Sequence, residues 1–152
     1  IITLPSSFKR ISVDLNVLWS AIYLTSIAIK DYEVVKALLS HGFIDEQFEY
    51  LKYMLEPLRG EVKVETFKEK LLVSPALLKQ LAIVTPFIEL GIRVEEVKKL
   101  MKDFLDMLKL PKTIRETVVN ITLNVMPSLD GTFQDKVEHI MSSIVEHLNT
   151  YE

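Results

Sequence analysis

Apolar residues return at steps of three and four along nearly the whole chain, and capping residues, glycine or proline interrupt them at intervals. That pattern predicts a succession of helices. Leu15 to Ile29 differs in kind: it carries no charge and is apolar on most sides, as expected of a helix buried at the centre of a bundle. Asp31 then reads as the cap of a helix with Val34, Val35, Leu38 and Leu39 on one face. His41-Gly42-Phe43 closes it, a glycine C-cap followed by a hydrophobe. The next helix starts at Asp45, aligns Phe48, Leu51, Leu55 and Leu58, and ends at Pro57 and Gly60. Thr66 and Glu69 have capping-box spacing for a short helix over 67–73. Ser74-Pro75 opens another, with Leu77, Leu78, Leu81, Ile83 and Val84 inward, and Pro86 kinks it or starts a short turn ending at Gly91.

The clearest amphipathic stripe is Val94, Val97, Leu100, Met101, Phe104, Leu105 and Leu108, backed by a charged face. Leu110-Pro111 breaks it. Thr113 and Glu116 offer a second capping box, for a helix through Ile114, Val118, Ile121 and Val125 up to Pro127. After the Asp130-Gly131 turn, Thr132 opens a last helix with Val137, Ile140, Met141, Ile144, Val145 and Leu148 inward. The expected fold is therefore all-α, a single-domain bundle of about seven helices over residues 1–152. An α+β domain is the alternative, since 11–17, 61–66 and 118–125 also fit period-two alternation and the last is rich in β-branched residues. Four glycines, none in a hairpin turn between two alternating runs, favour the helical reading. The chain opens at Ile1, as expected of one trimmed or cut from something longer.

With 152 residues, 49% hydrophobic and 26% charged, the chain can bury roughly 70% of its unfolded surface in one core. No cysteine is present, so thiol nucleophiles, Cys/His metal sites and disulfides are excluded, and no cofactor is called for. A bilayer span needs about 20 apolar residues. The uncharged run from Leu15 is shorter and contains Ser20, Thr25 and Ser26, so no membrane partner is expected and the default location is cytoplasmic. Abundant isoleucine, lysine and glutamate lean towards a thermophile source.

Catalytic material is scarce. His139 and His147 share a helix face but lie roughly 12 Å apart along the axis, whereas ligands of one ion must each come within about 2.1 Å of it. His41 is explained by its place at a helix C-terminus, and the pairs Asp45-Glu46 and Glu95-Glu96 by theirs at helix starts. No Walker, GxGxxG, GxSxG or HExxH string occurs, so the chain is read as no enzyme.

Two surfaces remain as candidates. Tyr50 and Tyr53 share a face apart from the Phe48 stripe and would suit a protein interface, while Trp19 reads as core. Lys98, Lys102, Lys109, Lys112 and Arg115 crowd a helix–turn–helix-like unit over 94–126 and would suit nucleic-acid phosphates. Residues 93–115 hold seven bases against four acids, and 116–152 one base against six acids, although the formal net charge is only -3. The turn Leu108-Lys109-Leu110-Pro111-Lys112-Thr113 is similar to the corresponding turn in the cyclin-like repeats of archaeal transcription initiation factor B, a likeness confined to that turn. A mean hydropathy of +0.23 implies apolar surface covered by a protein partner or a second copy. The expected function is a non-catalytic helical subunit or adaptor, within a nucleoprotein complex or outside one. A nucleic-acid-binding module is the alternative.

Overall fold

The computed structural model describes residues 13–56, 62 and 64–150. Its α-helices are α1 (Leu15–Ser40), α2 (Ile44–Met54), α3 (Phe67–Leu81), α4 (Val84–Glu89), α5 (Val94–Leu108), α6 (Lys112–Asn120) and α7 (Phe133–Thr150). A π-helical turn, Ile121–Val125, and a 3-10 turn, Met126–Ser128, follow α6. No strand occurs among the described residues, so the all-α reading holds and the α+β alternative falls. Of its three stretches, 118–125 is helical, and 62, 64 and 65 are irregular. Residues 11 and 12 of the first stretch lie outside the described residues, as do Pro57, Leu58 and Gly60.

The core is built around α1. Ala21, Ile22, Ala28, Ile29, Val35 and Leu39 are buried on it, and α3 packs along it more extensively than any other helix, with α7, α4 and α2 adding smaller contacts. The polar residues that interrupt the Leu15–Ile29 run are accommodated inside the bundle. Thr25 Oγ1 donates to Met141 Sδ at 3.0 Å, and Ser26 Oγ to the Ile22 carbonyl at 2.7 Å, so both hydroxyls are buried without being orphaned. Among the described residues no helix is long and apolar enough to cross a membrane.

Four local expectations need correction. Asp31 starts no helix, because α1 runs unbroken from Leu15 to Ser40 and its cap is Asp14, which accepts from the Asn16 N–H at 2.8 Å. Nothing between Ile29 and Asp31 breaks a helix, and local cap chemistry yields to the buried face that continues through Tyr32, Val35 and Leu39. Pro75 likewise sits inside α3 rather than at its start. A proline there costs about 3 kcal/mol, which is offset by one continuous buried row, Leu71, Leu78 and Leu81, against α1. Thr113 and Glu116 form no capping box: α6 begins at Lys112 behind Pro111, with no side-chain cap. Finally, the segment read as helix up to Pro127 changes winding at Ile121, where the Met126 N–H bonds to the Ile121 carbonyl five residues back. Two causes are visible. Thr85 Oγ1 donates to the Thr122 carbonyl at 2.9 Å, and Pro127 has no N–H to give the Leu123 carbonyl.

Other signals act as expected. Gly42, at φ +91°, ends α1 with Phe43 N–H bonded back to the Leu38 carbonyl, and Gly91, at φ +69°, ends α4 with Ile92 N–H bonded to Phe87, the double-bonded glycine cap. Thr66 Oγ1 accepts from the Glu69 N–H at 3.2 Å, while Glu69 reaches past the cap to the Glu65 N–H. Thr132 and Asp135 bond each other's backbone N–H reciprocally at the start of α7. These backbone donors, with the Thr hydroxyls, hold the Glu69 and Asp135 carboxyls below the usual range.

One polar latch joins α1 to α4. Tyr32 donates to Glu89, which also pairs with Lys36 one turn further along α1. Burial, then the Glu89 hydrogen bond and charge, push the Tyr32 hydroxyl up to about 12, against an ordinary value of 10.0. A raised folded value means that the contribution is complete below pH 10 and fades as pH rises towards 12. Tyr32→Phe should cost about 1.5 kcal/mol at neutral pH. Chemical denaturation from pH 8 to 12 should show the difference between wild type and variant shrinking with alkalinity; a constant difference would show that the hydroxyl proton plays no part.

Candidate interaction surface

Lys109, Lys112 and Arg115 gather at the C-terminal end of α5, Lys102 stands two turns before it and Lys98 lies near its start, about 16 Å back along the helix, and three of the five are paired with carboxylates. Asp106 on α5 takes Lys102 Nζ at 2.7 Å from its own helix and an Arg115 guanidinium nitrogen at 2.6 Å from α6. Those two hydrogen bonds hold its carboxyl below the ordinary range, and Asp106 in turn raises Lys102. Lys112 pairs with Glu116 at 3.7 Å. Only Lys98 and Lys109 of the set are exposed with no ion pair among the described residues. The helix–turn–helix likeness is also loose in three dimensions, since α5 packs chiefly on α4 while α6 packs on α7 and α3.

Tyr50 and Tyr53 are both exposed, at 40% and 70%. Tyr50 lines a groove of about 400 Å³ between α1 and α2 together with Asp31, Val34, Leu38 and Gln47. Burial raises the Asp31 carboxyl, with the Lys79 charge opposing it. Burial also raises the Tyr50 hydroxyl, with Asp31 and Tyr53 adding to it. The groove can take an apolar group with a hydrogen-bond donor at its end.

The larger surface lies on α1. Leu15, Trp19 and Tyr23, one turn apart, are 57%, 41% and 65% exposed. Trp19 is therefore a surface residue, not a core one. Its neighbours along this ridge continue with half-buried Ile27 and exposed Lys30, and a shallow recess flanks the ridge on each side. One is lined by Asn16, Ser20 and Leu24, the other by Ile22, Ser26 and Ile27, with Trp19 and Tyr23 common to both. Periodicity did not expose this face, because a helix apolar all round gives no polar side to point at solvent. The available signal was the excess: α1 has more apolar surface than its neighbours cover.

Groups suited to catalysis are directed elsewhere. Hydroxyls of Ser26, Ser40, Ser74, Thr117 and Ser143 each donate to the carbonyl one turn back in their own helix. His41 Nδ1 lies 2.7 Å from the Ala37 carbonyl and His147 Nδ1 2.9 Å from Ser143, while Asp135 serves the α7 cap rather than His139. No group of three or more His, Asp or Glu side chains among the described residues is placed to hold a metal ion.

Lys109 offers a direct test of the turn. It ends α5 in the left-handed conformation, φ 50°, ψ 46°, which strains a lysine by about 1–2 kcal/mol and a glycine hardly at all. Glycine's extra unfolded-chain entropy, about 0.5–1 kcal/mol, opposes the gain. Lys109→Gly should stabilise the fold by roughly 0.5–1 kcal/mol in denaturant titration. Destabilisation would show that the lysine side chain holds the turn.

Comparison of the chain with protein family models, curated proteins and solved structures gave no match. Its surface chemistry thus carries the functional argument.

Proposed function

We propose that this chain is a non-catalytic helical subunit or adaptor of the cytoplasm that works by protein contact, and that α1 presents the contact face. The carrying observation is the row Leu15, Trp19 and Tyr23, three large apolar side chains left open on consecutive turns of an uncharged helix segment. Aromatic residues in such a position form the energetic centre of interfaces, where truncating one costs about 2 kcal/mol or more. Tyr50, across the groove from Val34, and exposed Tyr53 further along α2 belong to a neighbouring part of the same reading. Placement of the subunit in a nucleoprotein complex rests on Lys98 and Lys109, the two exposed cations of the basic set with no carboxylate partner among the described residues.

Leu15→Lys with Tyr23→Lys tests the face without emptying the core, because both positions are more than half exposed and surface changes cost within about 0.5 kcal/mol. The double variant should keep the wild-type helical spectrum and melting temperature, yet lose the protein complexes recovered when the tagged chain is purified from its own host. Unchanged complexes would refute the α1 reading. Nuclease treatment in parallel separates the alternative. Nucleic-acid binding through Lys98 and Lys109 alone would give a log affinity against log salt slope of about -2, and binding through all five bases about -4.5.

A further inference from the structure

The groove between α1 and α2 offers a cation the same two contacts that the chain uses twice for cations of its own. Arg93 lays its guanidinium over the Phe48 ring, 4.5 Å from the centroid, while one of its nitrogens pairs with Asp45 at 2.6 Å. Lys36 stands 5.7 Å from the Tyr32 centroid and pairs with Glu89. Each cation is held jointly by an aromatic face and a carboxylate, which favour the same charge. In the groove, Tyr50 supplies the ring and Asp31 the carboxylate, close enough for the Asp31 charge to raise the Tyr50 hydroxyl. Among the described residues no cation of the chain pairs with Asp31 or lies over Tyr50. We propose that this groove receives an arginine side chain from a protein partner, its guanidinium between the Asp31 carboxylate and the Tyr50 ring and its methylene stem along Val34 and Leu38.

Charge and shape favour that occupant. Burial holds Asp31 partly dehydrated, so an entering cation makes up for solvation that the carboxylate has already lost. Glu46, one turn before Tyr50 on α2, puts a second carboxylate without an ion pair among the described residues on the same bank. Lys79 on α3 opposes these charges, but it forms no ion pair with Asp31 and does not line the groove. Phosphate, whether of a lipid or of a nucleic acid, is repelled by the two carboxylates. Arginine suits the site better than lysine, because a planar guanidinium stacks on a ring while its edge donates to a carboxylate, as Arg93 does. Val34, Val35 and Leu38 give the stem an apolar floor, and at about 400 Å³ the groove falls at the lower end of the range of ligand sites.

The assignment rests on the protein-contact reading and says what the partner carries. Hexylguanidinium, an arginine head on an apolar stem, is the probe. Added to the isotope-labelled full chain, it should shift the NMR signals of Gln47, Tyr50 and the Val34 and Leu38 methyls with a millimolar dissociation constant, as a ligand of about ten non-hydrogen atoms allows. Hexanoate should leave them in place. Asp31→Asn should weaken the probe about tenfold and Tyr50→Leu about threefold, each with an unchanged helical spectrum. Lys79→Gln removes the opposing charge and should strengthen it about twofold. A probe that shifts no groove signal at roughly 50 mM, is matched by hexanoate, or binds Asp31→Asn as tightly as wild type overturns the site. A photo-crosslinking residue at position 47, introduced in the native host, reads the occupant. A crosslinked protein segment that contains arginine, and is lost with Asp31→Asn, supports the proposal; a segment without arginine, a small molecule or no crosslink overturns it. Complexes that survive Asp31→Asn yet disappear with Leu15→Lys and Tyr23→Lys overturn the groove and leave the α1 face standing.

Discussion

Everything in this molecule is arranged around the burial of α1. A helix of 26 residues that is apolar on most sides is not stable alone in water, and the rest of the chain reads as a set of surfaces brought up against it. The longest of these contacts is with α3. It is strong enough to carry a proline through the middle of α3 and to hold Leu71, Leu78 and Leu81 fully out of water. α7 and α4 close further sides, and the Tyr32–Glu89–Lys36 latch with the Lys136–Glu33 ion pair at 2.7 Å ties their polar margins to α1. Among the described residues, what no neighbour covers is the N-terminal ridge. The same property that makes α1 a good core element, the lack of charge around its girth, leaves that ridge apolar wherever the bundle stops.

The fold was legible because helix-period patterning and glycine caps are local. Gly42 and Gly91 each require a left-handed residue after a helix, and the sequence shows both with the hydrophobe that follows. The failures came where a long-range contact overrode a local signal. Asp31 and Ser74-Pro75 carry the chemistry of helix starts, yet each lies inside a helix whose buried row runs past it. The π-helical turn at Ile121–Val125 depends on the Thr85 hydroxyl, 37 residues earlier in the chain, which no reading of 118–127 by itself contains.

The candidate site was less legible, for an electrostatic reason. Counting charges along 93–115 predicts a basic patch, but a count treats Asp106 as one acid among several. In the structure Asp106 sits where α5 and α6 meet and engages two cations at once, Lys102 and Arg115. Position multiplies its effect. Each contact is exposed and worth at most about 1 kcal/mol to stability, yet together they engage two of the five cations that a phosphate backbone would need, and the single carboxylate offsets one of the two positive charges. Trp19 erred in the opposite direction: hydrophobicity ranks it inside, and only the packing shows that the inside is already full.

These two errors share one physical origin, and it bears on function. Composition states how much apolar or charged surface a chain owns, and geometry states how much of it the fold itself consumes. Here the fold consumes most of the basic set by internal pairing and leaves part of the apolar set unconsumed on α1. A surface left over after folding is what association can draw on, since its burial costs no further ordering of a helix already held by its opposite face. Leu15, Trp19 and Tyr23 stand on such a helix, rigidly supported by buried Val17, Ala21 and Ala28 on its opposite side. Their side chains therefore meet a partner preorganised, and the free energy of covering them goes into the complex rather than into building the surface.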